Sequence, residues 1–185
     1  MKKQEQPQAE ERILAAKDLV IDSIAETMDL YGITRSAGIL YGTMYLHEEM
    51  TLDEMREELQ MSKPSMSTGV KKLQDMNIVK KTFHRGRRKH SFVAEKDFFK
   101  FFVNFFPQKW DREVEVNLAS IEEAQKRLHD VAHDDQAEEA VREEAEQLYE
   151  QLESSKAYYD WLKRLAQSVH SGEIFEYIPI DRKEK

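Results

Sequence analysis

The chain has 185 residues, 35% of them charged, with a net charge of −8, no cysteine, 6 glycines and 4 prolines. That length fits one domain, or a small domain with a helical extension, and can bury a core without staples. The missing cysteines exclude a disulfide framework, a zinc ribbon and a thiol nucleophile, and the low Gly and Pro content favours a mostly helical protein.

Residues 1–11 read as a disordered tail, polar and without the apolar region of a signal peptide. From about Glu11 to Leu30 the apolar residues Leu14, Ala15, Val20, Ile21, Ile24, Ala25 and Met28 recur near the helical period, and Gly32 stands where a helix C-terminus expects glycine. Thr34 is placed to cap a second helix to about His47, with Ala37, Leu40, Tyr41 and Met44 on one side. Thr51 and Glu54 have capping-box spacing, opening a short helix through Leu59 whose inner residues are Leu52, Met55 and Leu59. After a tight turn at Gln60-Met61, Ser62 caps a further helix with Pro64 in its first turn, where the missing N–H costs nothing. Met66, Val70 and Leu73 face inward on that helix, and Ser65, Ser67, Thr68, Lys71 and Lys72 face outward. Two short helices so joined form a helix-turn-helix. Ile78–Val93 then reads as two short strands around a basic, glycine-containing turn, which adds a wing.

Helix returns after Glu95 with the aromatic run Phe98, Phe99, Phe101, Phe102, Phe105 and Phe106, which Pro107 punctuates. A long helix after Trp110 carries Val114, Leu118, Ile121, Ala124, Leu128 and Val131. His133–Gln136 is a polar break. One further helix carries Ala137, Val141, Leu148 and Leu152, and another carries Tyr158, Trp161, Leu162, Leu165 and Val169. Ile174–Ile180 reads as an extended tail. No stretch is apolar for long enough to span a bilayer, so a cytoplasmic protein with no membrane partner is expected.

The average charge hides an uneven distribution. From Ser62 to His90 there are nine Lys or Arg against the single acid Asp75, a local +8, and the rest of the chain is −16. A basic block on an acidic body is the footprint of an oriented phosphate-binding face. In the major groove, Ser65, Ser67 and Thr68 are short donors that allow close approach to base edges. Ser62, Lys63 and the free N–H groups of the helix N-terminus are suited to phosphate, as are Lys71 and Lys72. Arg85, Arg87 and Arg88 on the wing are suited to a flanking minor groove. Double-stranded DNA is therefore the expected partner.

Other clusters have two readings each. The Phe98–Trp110 aromatics are core, or some of them wall a small-molecule pocket, since ring faces attract quaternary ammonium ions. Tyr158, Tyr159 and Trp161 read as a dimer or interhelix core in preference to a ligand site. His129 and His133, four apart, read as a solvated break in preference to a metal site. No phosphate loop, zincin motif or nucleophile elbow occurs, so no cofactor, no metal and no enzymatic activity are expected.

The fold expected is mostly α, a winged helix-turn-helix with a two-stranded β-wing and long N- and C-terminal dimerisation helices. Residues 12–96 form the DNA-binding domain with its leading helices, and residues 97–185 form a C-terminal helical dimerisation and effector region. This order resembles the MarR-like winged-helix superfamily. Met28-Asp-Leu-Tyr-Gly-Ile-Thr-Arg-Ser36, Leu40-Tyr-Gly-Thr-Met44, Met50-Thr-Leu-Asp-Glu-Met55 and Gln60-Met-Ser-Lys-Pro-Ser-Met-Ser67 resemble its GbsR branch more narrowly. So do Ala94-Glu-Lys-Asp-Phe-Phe99 and Gln108-Lys-Trp-Asp-Arg-Glu113. The resemblance covers roughly residues 12–180. It implies a homodimeric repressor of genes for choline uptake and glycine betaine synthesis, with choline or glycine betaine as effector. A paralogous repressor of an osmolyte transporter, not induced by choline, is the alternative; a winged-helix protein–protein adaptor that does not bind DNA ranks below it. The resemblance supplies the ligand class and the sequence supplies the rings: Tyr45, Phe102, Phe106 and Trp110 are the candidate cage.

Overall fold

The structure is a computed structural model that describes residues 5–83 and 89–181. In chain order the elements are α1 (Glu5–Leu30), α2 (Arg35–Leu46), β1 (Met50–Thr51), α3 (Leu52–Leu59), α4 (Lys63–Asp75), β2 (Val79–Thr82) and β3 (Ser91–Ala94). Then follow α5 (Phe98–Ala132), α6 (Glu139–Ser171) and α7 (Ile174–Tyr177). The chain divides into two compact units, Met1–Phe101 and Phe102–Lys185.

In the first unit α1 packs on α2, and α2 packs on α4. The core is Ala25, Met28, Ile33, Leu40, Tyr41, Met44, Met55, Met66, Val70, Leu73 and Ile78, all buried. Gly38 lets the two leading helices approach closely: a Cβ built there meets the Cα of Ala25 at 2.7 Å. The local signals at the helix-turn-helix act as their chemistry requires. Thr51 Oγ1 accepts from the Glu54 N–H at 3.3 Å, and Glu54 Oε2 accepts from the Thr51 N–H at 2.6 Å. This reciprocal cap contributes about 1 kcal/mol. Gln60 turns the chain with φ of 52°, and Ser62 Oγ accepts from the Ser65 N–H at 3.4 Å to open α4.

Several expectations change. The expected two-stranded wing, β2 and β3, gains a third strand in the order β1-β3-β2, because Met50 and Thr51 pair antiparallel with Phe92 and Ser91. α1 begins at Glu5, inside the segment expected to be disordered, since Gln8–Arg12 are all good helix formers. The stretch up to Val20 is not packed: Ile13, Leu14, Leu19 and Val20 are exposed, and of the expected stripe only Ala25 and Met28 are buried. Thr34 holds the N-cap position of α2 without capping it; its hydroxyl lies 3.3 Å from that of Ser36.

In the second unit, α5 runs through Pro107 without a break. An interior proline costs about 3 kcal/mol, and here the rings of Phe102, Phe106 and Trp110 pack across it and tie the flanking turns together. α6 is one helix, not two. Its Ser154 and Ser155 hydroxyls bond back to the carbonyls of Gln151 and Leu152 and so stay satisfied within the helix. Gly172, with φ of 83°, ends α6. The expected extended tail instead forms α7, held by the Ile178 N–H on Ile174 O at 2.9 Å. The break at residues 133–138 turns α5 back onto α6. Gln125, buried between them, donates to Glu153 Oε2 at 2.9 Å and to Tyr149 O at 3.3 Å, which fixes their register. Among the described residues, no helix is long and apolar enough to cross a membrane.

Candidate nucleic-acid interface

α4 is held by one face and free on the other. Met66, Val70 and Leu73 are buried, while Ser62, Lys63, Ser65, Ser67, Thr68 and Lys71 are exposed and Lys72 is half-buried on the flank. The spacing that puts three apolar residues inward necessarily turns the short hydroxyls outward, because three- and four-residue steps share a helix face. Ser62 and Ser65 have a second task at the cap, where their hydroxyls lie 2.9 Å apart. The outer turn therefore offers short hydroxyls, free N–H groups and lysines on a rigidly seated helix, a surface suited to a groove edge and its phosphates. Arg85, Arg87 and Arg88 lie outside the described residues.

Beside this face is a contact the sequence reasoning missed. Lys89, at the root of the wing, donates to Asp53 Oδ2 on α3 at 2.7 Å. The hydrogen bond from Lys89 and its charge hold the Asp53 carboxyl below its usual range, and the same contact raises the Lys89 ammonium. These residues are far apart in sequence, and only the β1–β3 pairing brings them together.

The four candidate cage residues divide into two groups. Phe102, Phe106 and Trp110 form one ring cluster, with centroids 5.2, 6.4 and 5.6 Å apart. At those separations the rings touch one another, so as they stand they make a wall and not an open box. Tyr45 belongs to another ring group in the first unit, 5.2 Å from Phe98 and 6.4 Å from Tyr41. Tyr41 donates to the Glu95 carbonyl at 2.6 Å, and burial, then the neighbouring Glu95 and Tyr45, push its hydroxyl above the usual tyrosine range. At the hairpin end, His129 and His133 stack at 4.1 Å, and His133 Nδ1 lies 2.9 Å from the His129 carbonyl. Among the described residues, no three metal-ligating side chains converge. Tyr158 and Trp161 are half-exposed on α6 with their rings 6.2 Å apart.

Comparison with known proteins places these features in a family. Residues 98–176 match the family described as GbsR family transcriptional regulator, C-terminal helical hairpin. The HTH-type transcriptional repressor GbsR of Bacillus subtilis (strain 168) is 76% identical over 168 residues, covering 91% of this chain and 93% of the relative. The HTH-type transcriptional repressor OpcR of the same organism is 33% identical over 165 residues, covering 89% of each.

Proposed function

Because the chain belongs to the GbsR family of transcriptional regulators, we propose that it is a homodimeric DNA-binding repressor. Its targets are genes for choline or glycine betaine uptake or for glycine betaine synthesis, and its effector is choline or a related quaternary ammonium compound. The observation that carries the DNA-binding part is the outer face of α4, with Lys63, Ser67, Thr68 and Lys71 exposed on a helix seated by Met66, Val70 and Leu73. Paired recognition helices in a dimer read half-sites about one helical turn apart. The exposed apolar residues of α1 and the half-exposed aromatics of α6 support dimerisation through those two helices. The effector part rests on the clustered rings of Phe102, Phe106 and Trp110, since a trimethylammonium group makes no N–H hydrogen bond and is held best by ring faces. The level of identity to GbsR, 76% against 33% to OpcR, favours the choline-linked reading over the paralogous one. The family is one of regulators, and no enzymatic activity is proposed.

Fluorescence titration tests both parts. The Trp161→Phe variant leaves Trp110 as the reporter, and choline and glycine betaine are added with and without an operator-length duplex. The expected result is a saturable change with one of them and a fall in DNA affinity of about 5–150-fold, the usual range of allosteric coupling. A flat titration with intact DNA binding would return the rings to the core and end the effector part alone. No duplex binding at any salt concentration would end the repressor reading.

A further inference from the structure

An acid stands beside the surface proposed to meet DNA. Thr51 pairs with Ser91 in the antiparallel β1–β3 ladder. Asp53 comes two residues after Thr51 and Lys89 two residues before Ser91, and their side chains meet at 2.7 Å, 35% and 69% exposed respectively. Asp53 lies in the first turn of α3, which the Thr51–Glu54 box holds closed, so its carboxylate is fixed where a helix N-terminus favours negative charge. Arg56 and Lys63 add positive charge around Asp53, while Glu54 and Glu57 add negative charge around Lys89. The pair therefore ties the first turn of α3 to the root of the wing, with Lys63 at the start of the recognition helix close enough to act on Asp53.

Phosphate binding gains from cations that displace counterions, and a neutral pair displaces none. For Lys89 to turn to a phosphate it must leave Asp53 unpaired beside the polyanion. We infer that Asp53 keeps Lys89 out of the phosphate-neutralising set, and so limits the sequence-independent affinity of the DNA-binding face. This inference rests on the DNA-binding reading. The consequence is selectivity: a regulator competes against a great excess of non-specific sites, so restraint on sequence-independent attraction raises the specific fraction.

The test is fluorescence anisotropy of a labelled duplex of arbitrary sequence with the full-length protein across a salt series. Asp53→Asn is expected to steepen the salt dependence of log K by about 0.9, and to raise affinity about five- to tenfold near ~0.1 M salt. Lys89→Gln, which leaves the Asp53 carboxylate unpaired beside the phosphates, is expected to weaken binding and flatten the slope, and the double variant, neutral like the pair, to keep the wild-type slope. Asp53→Glu, which keeps the charge, is expected to behave as wild type. An unchanged or shallower slope in a folded Asp53→Asn protein overturns the inference. So does a slope reduced by about 0.9 in the double variant, which would mean that Lys89 already neutralises a phosphate in the wild type. Asp53→Ser replaces Asp53→Asn in both arms if that protein does not fold. Absence of any salt-dependent duplex binding by the wild type would instead overturn the DNA-binding reading beneath it.

Discussion

Leu73→Ala is expected to lower the unfolding free energy by about 2–5 kcal/mol, the usual cost of emptying a buried leucine site. Leu73 is 0% exposed on the inner face of α4, beside Met66 and Val70, and its carbonyl accepts the Ile78 N–H that starts the turn into the sheet. The loss therefore falls where the recognition helix is seated. A domain holds only about 5–15 kcal/mol in total, so DNA binding should weaken although no exposed charge has changed. Urea unfolding followed by far-UV circular dichroism gives the value, read as a midpoint shift at constant slope. A change below about 1 kcal/mol would mean that α4 is not anchored as described.

Gly38→Val should be nearly as damaging, for the opposite reason. Here there is too little space: an added Cβ meets the Ala25 Cα at 2.7 Å and the Ala25 carbonyl oxygen at 3.1 Å. Both are backbone atoms, so α1 and α2 must separate. Overpacking of this kind costs about 1–3 kcal/mol or more. Even Gly38→Ala should lose stability, although alanine gains roughly 1 kcal/mol over glycine within a helix. Gly69→Ala is the control. Its Cβ meets only the Leu40 Cδ2 at 2.9 Å, the far end of a side chain that can move. Thermal melting of the three variants should order them with Gly38→Val lowest and Gly69→Ala near or above wild type. If Gly38→Ala melts above wild type, the close approach of α1 and α2 is not a constraint.

What could be read from the residues was mostly what is local. Thr51, Glu54, Ser62 and Pro64 act within one helical turn of themselves, and each sits in the role its chemistry suggests. Met66, Val70 and Leu73 face inward because period alone decides it. The failures involve distant partners or compensation. β1 is only two residues long and exists because Ser91 and Phe92 lie beside it. Pro107 looks like a stop until the rings packed across it are seen. Val141 and Leu148 look like core residues, yet both are exposed, since helical period shows a stripe without showing what covers it. In the candidate sites, the outward residues of α4 were legible. Which rings meet was not, because residue type does not say it: Tyr45 stacks on Phe98, while Phe102, Phe106 and Trp110 meet one another. Gly38 and Gly42, one turn apart on a short helix, were an unread signal of close helix approach.

Four apolar side chains along the middle of α1, with exposures of 59% at Ile13, 60% at Leu14, 74% at Leu19 and 41% at Val20, have a thermodynamic consequence. Helix that keeps such residues in water gains little from its own fold, so it draws stability from whatever covers it. If a second copy supplies the cover, association and folding share one free energy and mass action links them. The melting midpoint is then a function of concentration, and dilution alone frays the leading helix.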